Sequence, residues 1–100
     1  MAAEKLEPGA HGYFAGGAGD ERTLRRNAEA YEGWELRPRV LVDVSAVSTK
    51  TTVLGTELDV PFLVAPVAFQ LLAHPDGEAG MARAAHDAGT VMCLSSLTST

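Results

Sequence analysis

The sequence predicts an α/β fold built on a parallel sheet, and three observations carry that reading. The run Val60-Pro61-Phe62-Leu63-Val64-Ala65-Pro66-Val67-Ala68-Phe69-Gln70 is apolar on both alternating faces, the pattern of a strand buried on both sides. A helical stretch from His74 to Ala88 follows and stops at Gly89, and Thr90-Val91-Met92-Cys93-Leu94-Ser95-Ser96 then reads as a second buried strand ending in hydroxyls. Strand, helix, strand is a βαβ unit, which obliges parallel pairing. The offset from Phe62 to Val91 matches the roughly 30 residues of one repeat in an eight-unit barrel. The expected architecture is the N-terminal part of a (β/α)8 TIM barrel. Residues 1–59 form an N-terminal extension with helix and hairpin, and residues 60–100 form barrel strands 1 and 2 with helix 1.

Taken in order, Met1 to Gly12 mix charge, glycine and proline without an apolar period and read as a flexible lead-in. Gly16, Gly17 and Gly19 follow the aromatic pair Tyr13-Phe14. A glycine-rich loop can bring amides close to a phosphate, but this spacing is not a nucleotide fingerprint and no strand precedes it. Asp20 suits the N-cap of a helix from Glu21 to Glu32, in which Leu24, Ala28 and Tyr31 share a face and Gly33 suits the C-cap. Pro38 makes Trp34 to Arg39 an extended linker, on which Arg37 and Arg39 are placed to pair with acids rather than to bind a phosphate or carboxylate. Val40-Leu41-Val42-Asp43-Val44 is β-prone. Thr51 to Leu54 and Glu57 to Val60 flank Gly55-Thr56 as a short polar hairpin, an edge or lid. Pro75, Asp76 and Glu78 mark the start of the helix after strand 1, and Met81, Ala84, Ala85 and Ala88 form its inward face.

Composition bounds the function. With 46% apolar and 21% charged residues the chain has a globular balance. A net charge of -5 offers no basic footprint, which disfavours nucleic acid and anionic membranes as partners. The sequence holds one cysteine, Cys93, so no intrachain disulfide forms and a reducing, cytoplasmic setting fits best. No apolar run approaches the roughly 18 residues of a membrane span, and no signal-peptide pattern opens the chain. His11, His74 and His86 are dispersed and make no metal set with Cys93. His74 lies on the loop after strand 1, where a base could act, yet its place before Pro75 favours helix capping. Ser95 and Ser96 have no base in sight and read as hydrogen-bonding groups, and Cys93 in apolar surroundings reads as inert. Tyr13 by itself reads as an aromatic anchor against Phe14. Two parallel strands cannot close a barrel, so the chain is expected to be a fragment or to be completed by another chain.

The blocks Tyr13-Phe14-Ala15-Gly16-Gly17-Ala18, Asp20-Glu21-Arg22-Thr23-Leu24 with Asn27, Arg37-Pro38-Arg39-Val40-Leu41, Ala65-Pro66-Val67-Ala68-Phe69-Gln70, Ala73-His74-Pro75-Asp76-Gly77-Glu78 and Leu94-Ser95-Ser96 carry more information together than singly. In this order they resemble the N-terminal third of the FMN-dependent 2-hydroxy acid oxidase and dehydrogenase family, which includes glycolate oxidase, lactate oxidase, mandelate dehydrogenase and hydroxymandelate oxidase. The resemblance implies a flavoprotein oxidoreductase with a (β/α)8 barrel, an FMN cofactor, and oxidation of an (S)-2-hydroxy acid to the 2-oxo acid. It implies that Tyr13 hydrogen-bonds the substrate carboxylate, that the Val67-Ala68 backbone lies against the flavin with the Ala68 amide facing N5, and that Ser95 bonds the polar edge of the flavin. Amides and hydroxyls at strand ends suit a ring that gains electrons.

Two positions depart from the family pattern. Val67 stands where many members have threonine, which leaves only backbone contacts there. Leu97 stands where glycolate oxidases carry tryptophan, so a pocket admitting a larger or more apolar acid is expected. The resemblance places the family's catalytic base on later strands, beyond Thr100, with no catalytic residue in this segment, which alone should be inactive. It also implies a homo-oligomer. The alternatives are a non-catalytic barrel fragment that self-associates or needs a complementary chain, and another FMN barrel enzyme such as an isomerase.

Overall fold

The computed structural model describes residues 2–99. Met1 and Thr100, which bound the two expected segments, lie outside the described residues. The chain divides into two compact units between Val44 and Ser45.

In the first unit, α1 spans Ala2–Lys5 and α2 spans Pro8–Ala15. The expected flexible lead-in is therefore largely helical. Proline at the first position of α2 brings a helical φ and has no N–H to leave unsatisfied, while Gly9 and Gly12 dilute the apolar period that would have revealed the helix. Tyr13 and Phe14 close α2 and meet edge to face at 5.2 Å and 76°.

The third helix, α3, spans Arg22–Glu29 and passes into a 3-10 turn over Ala30–Gly33, a shorter α-helix than the expected Glu21 to Glu32. Glu21, not Asp20, occupies its N-cap, in a left-handed conformation at φ 55 and without a side-chain cap. The Glu21 carboxylate instead accepts the Gly17 amide at 3.0 Å, and Asp20 makes a loose exposed pair with Arg22 at 3.6 Å. The β-prone run Val40 to Val44 forms no strand. Leu41 stands at φ 60, in the left-handed region, which breaks an extended segment.

The second unit begins with a hairpin of β1, Thr51–Val53, and β2, Thr56–Leu58, paired antiparallel with Val53 opposite Thr56. The turn residues are Leu54 and Gly55, at φ 50 and 81, one position earlier than the expected Gly55-Thr56. Two positive φ values match a turn whose twist follows that of the strands. Leu58 is buried, and Asp59 N–H donates to Gly89 O at 2.8 Å, which ties the hairpin to the strand-helix-strand segment.

The expected strands Val60 to Gln70 and Thr90 to Ser96 meet in parallel at one rung, Val64 opposite Met92. Val64 N–H donates to Val91 O at 3.1 Å and Cys93 N–H to Val64 O at 2.9 Å. Thr90 is buried and its hydroxyl donates to Phe62 O just below that rung. Between the two segments lie a 3-10 turn, Gln70–Leu72, and α4, Gly77–Asp87. The expected order of segment, helix and segment is thus present with parallel pairing, but the pairing is an isolated bridge and neither segment forms a full strand.

Burial corrects several expectations. Phe62 and Leu94 are 60% and 61% exposed, so the two strands are not buried on both faces. Such burial needs sheet neighbours and covering helices on each side, and among the described residues each strand has the other as its one sheet partner. On α4 the buried residues are Gly77, Glu78 and Ala85, whereas Met81, Ala84 and Ala88 are exposed. Cys93 is exposed rather than enclosed by apolar neighbours. No helix among the described residues is long and apolar enough to cross a membrane.

Candidate functional site

Within the second unit, the candidate residues collect where the paired segments leave their common rung. Past Val64 the chain runs through Val67 and Ala68 into Phe69, and past Met92 it runs through Ser95 and Leu97 to Ser99. Phe69 N–H donates to Leu97 O at 3.2 Å and joins the two turns. Phe69 is held at φ 54, a conformation few side chains adopt, and such outliers concentrate at functional turns.

Ala68 is half-buried, and its N–H makes no hydrogen bond among the described residues. Its small side chain leaves the backbone open to close approach. The Ser95 hydroxyl accepts the Leu97 N–H at 3.1 Å, which orients the oxygen and leaves its hydrogen available to an outside acceptor. Val67 offers no side-chain polar atom, but its carbonyl accepts the Gln70 side-chain amide at 3.2 Å. Leu97 is 57% exposed beside these groups. The arrangement therefore presents one backbone donor and one hydroxyl donor from adjacent turns, with an apolar side chain next to them.

Glu78 was legible in the sequence only as an acid in the first turn of a helix. It is 2% exposed, and its Oε1 accepts from Gln70 N–H at 3.1 Å, Ser99 N–H at 2.9 Å and the Ser99 hydroxyl at 3.1 Å. Oε2 is buried without a hydrogen-bond partner among the described residues. Burial works to raise the carboxyl pKa, but the donors from Ser99, Gln70 and its own backbone outweigh it and hold the group below the usual glutamate value. The signal that could have pointed to it is a set of polar residues, Gln70, Glu78 and Ser99, placed at the ends of apolar segments.

Tyr13 belongs to the first unit, at the end of α2, and is 51% exposed. Of the neighbouring glycine amides, Gly16 N–H is engaged with Gly12 O and Gly17 N–H with the Glu21 carboxylate, both at 3.0 Å, so these two are not free to cradle a phosphate. His74 Nδ1 accepts the Asp76 N–H at 3.1 Å just ahead of α4, whose N-cap is Asp76 without a side-chain cap of its own. Arg37 and Arg39, expected to pair with acids, enter no ion pair among the described residues, because the extended linker holds both out in solvent. No group of three or more His, Cys, Asp or Glu that could hold a metal occurs among the described residues.

Comparison with known proteins sets this geometry in a family. Residues 2–100 match the family model described as FMN-dependent dehydrogenase. Glycolate oxidase 1 of Zea mays is 52% identical over 96 residues, which cover 96% of this chain and 26% of that protein. L-lactate oxidase of Nostoc sp. is 50% identical over 97 residues, covering 97% of this chain and 27% of that protein. Solved structures of a mandelate oxidase mutant, one with (S)-mandelic acid and one with an FMN adduct, superpose with a TM-score of 0.93 at 39% identity over 99% of this chain and 30% of theirs. The chain thus spans about a quarter of the length of the curated relatives, 26% and 27%. Because the match runs through all the described residues and the structures agree in backbone, the chain belongs to the FMN-dependent dehydrogenase family.

Proposed function

We propose that this chain is the N-terminal segment of an FMN-dependent oxidoreductase that converts an (S)-2-hydroxy acid to the 2-oxo acid, with Val64 and Met92 on the first two strands of a (β/α)8 barrel. The observation that carries the reading is the pair of donors at the ends of adjacent parallel strands, the unengaged Ala68 N–H and the oriented Ser95 hydroxyl. Ligands of α/β proteins sit at that end of the sheet. The family match and the FMN adduct held by a related mandelate oxidase support FMN as the ligand.

The residues fit that cofactor. Ala68 has no bulk to keep a planar ring off the backbone, and its N–H would meet the ring nitrogen N5. Ser95 would donate to a carbonyl oxygen on the polar edge of the ring. Bound FMN supplies the two-electron acceptor. The chain's own residues hold and polarise: donors set in place before the reaction stabilise charge without reorganising. Tyr13 would bind the substrate carboxylate through its hydroxyl, and Leu97 would line the pocket for the acid side chain. Leucine in place of a larger aromatic ring favours a larger or more apolar acid than glycolate.

Exposed Phe62 and Leu94 support the remainder of a barrel as their cover, on a longer or a second chain. The one cysteine supports a cytoplasmic setting. The named relatives are glycolate, lactate and mandelate oxidases, which favours hydroxy acid oxidation over an isomerase or a non-catalytic fragment.

The test uses the flavin-loaded protein that carries this chain, mixed without oxygen with glycolate, L-lactate and the two enantiomers of mandelate. Bleaching of the flavin absorbance by (S)-acids and not by (R)-mandelate is expected. No bleaching by any of them would remove the reading.

A further inference from the structure

We propose that Glu78 is a positioning residue for the flavin-facing edge, a carboxylate on α4 that locks the turn after Val64 and the turn after Met92 in one register. The role rests on the function proposed above, since the register matters only if Ala68 and Ser95 face one rigid ring.

Between them, the two strands share one ladder rung and their turns one backbone hydrogen bond, Phe69 N–H to Leu97 O, so a further tie adds to the fixing of their spacing. Glu78 provides it from the first turn of α4. On one side, Oε1 accepts Gln70 N–H, and the Gln70 side chain donates to Val67 O, one residue before Ala68. On the other, Oε1 accepts both Ser99 donors, and the Ser99 oxygen in turn accepts Leu71 N–H at 3.3 Å. Ser99 closely follows Leu97, whose N–H orients Ser95 and whose carbonyl accepts from Phe69. One carboxylate oxygen thereby lies at the centre of a network reaching the neighbours of both donors.

A negative charge suits the place. Hydrogen bonds to an ionised acceptor are shorter and stronger than neutral ones, and three converge on a single buried atom. A shift of about 1 Å in a positioned group can cost on the order of a hundredfold in rate, so a tie of this kind bears on catalysis without touching substrate.

The experiment compares wild type, Glu78→Ala, Glu78→Gln, Ser99→Ala and Ser95→Ala in the flavin-loaded protein that carries this chain. It reads FMN affinity by flavin fluorescence, the visible flavin spectrum, and kcat and KM for a hydroxy acid that bleaches the wild type. Glu78→Ala is expected to weaken FMN binding by about tenfold to a hundredfold, as lost hydrogen bonds to a charged group would. It should also shift the visible band and lower kcat more than it raises KM. Glu78→Gln keeps an oxygen for the same donors and is expected to recover part of the affinity. Ser99→Ala, which removes only the hydroxyl, should move the same readouts by a smaller factor. A wild-type spectrum and affinity in Glu78→Ala, while Ser95→Ala still weakens FMN binding, overturns the role of Glu78 and leaves the site reading intact. Should Glu78→Ala not fold, unchanged readouts in Ser99→Ala overturn it instead. Failure of the wild type to bind FMN, or no effect of Ser95→Ala, removes the site reading and the positioning role with it.

Discussion

Gly89→Ala tests how the hairpin and the strand-helix-strand segment are joined. Gly89 ends α4 at φ 68, where a side chain costs about 1–2 kcal/mol against the following carbonyl. A Cβ added there would overlap the Asp59 side chain, coming within 2.7 Å of its Cβ. The Asp59 carboxylate can swing away, but its Cβ moves only with the backbone. That backbone is held by Asp59 N–H to Gly89 O at 2.8 Å and by the Thr49 hydroxyl to Asp59 O at 2.8 Å. Relief of the overlap therefore breaks at least one of these bonds, worth about 1 kcal/mol. The exposed Lys50–Asp59 pair at 3.0 Å adds little to either side. The expected loss is about 2–3 kcal/mol, read as a lower urea midpoint at unchanged slope in the protein carrying this chain. Asp59→Gly in the Gly89→Ala background should recover the steric part and leave the φ part. A Gly89→Ala protein within about 0.5 kcal/mol of wild type, the range of neutral surface changes, would refute both the left-handed cap and the Asp59 contact.

Four further outcomes are expected. Tyr13→Phe should raise KM for the hydroxy acid by about tenfold through loss of a hydrogen bond to a charged group, with FMN retained; equal kinetics would take Tyr13 out of the substrate site. Leu97→Trp should move kcat/KM towards glycolate and away from mandelate, and an unchanged ratio across the two acids would remove Leu97 as a specificity residue. The Glu78 carboxyl lies below its ordinary value in the folded state, so its contribution is complete above that ordinary value and is lost as pH falls through the depressed one. Acid unfolding curves should accordingly lose part of their slope in Glu78→Gln, and parallel curves would contradict the depressed value. Leu54→Asn should stabilise the hairpin by up to about 1 kcal/mol, because asparagine tolerates the left-handed turn position that Leu54 occupies at φ 50. A thermal midpoint at or below that of wild type would argue against this turn.

Some elements were open to a reading of the residues. Gly55 located the hairpin to within one position, Gly89 ended α4, and the pairing of two apolar segments around a helix came out parallel. Others were hidden by local conflict. Pro8 begins a helix inside a stretch whose glycines hide any period, and Leu41 breaks a segment whose composition favours a strand. Of the candidate site residues, Tyr13, Val67, Ala68 and Ser95 came from ordered sequence blocks, and Leu97 came from a departure from the family pattern. Nothing local marked Glu78 as more than a helix-start acid.

By itself, then, the sequence determined the parallel pairing of two segments around a helix, the end of that helix at Gly89 and the hairpin turn to within one position, because apolar period, proline and glycine act over a few residues. Only the tertiary structure decided which carboxylate joins the two strand ends. Glu78 meets Gln70 across 8 residues and Ser99 across 21, separations over which no local pattern specifies a partner. The strand pairing brings those turns together, and the helix between them supplies the carboxylate that both can reach.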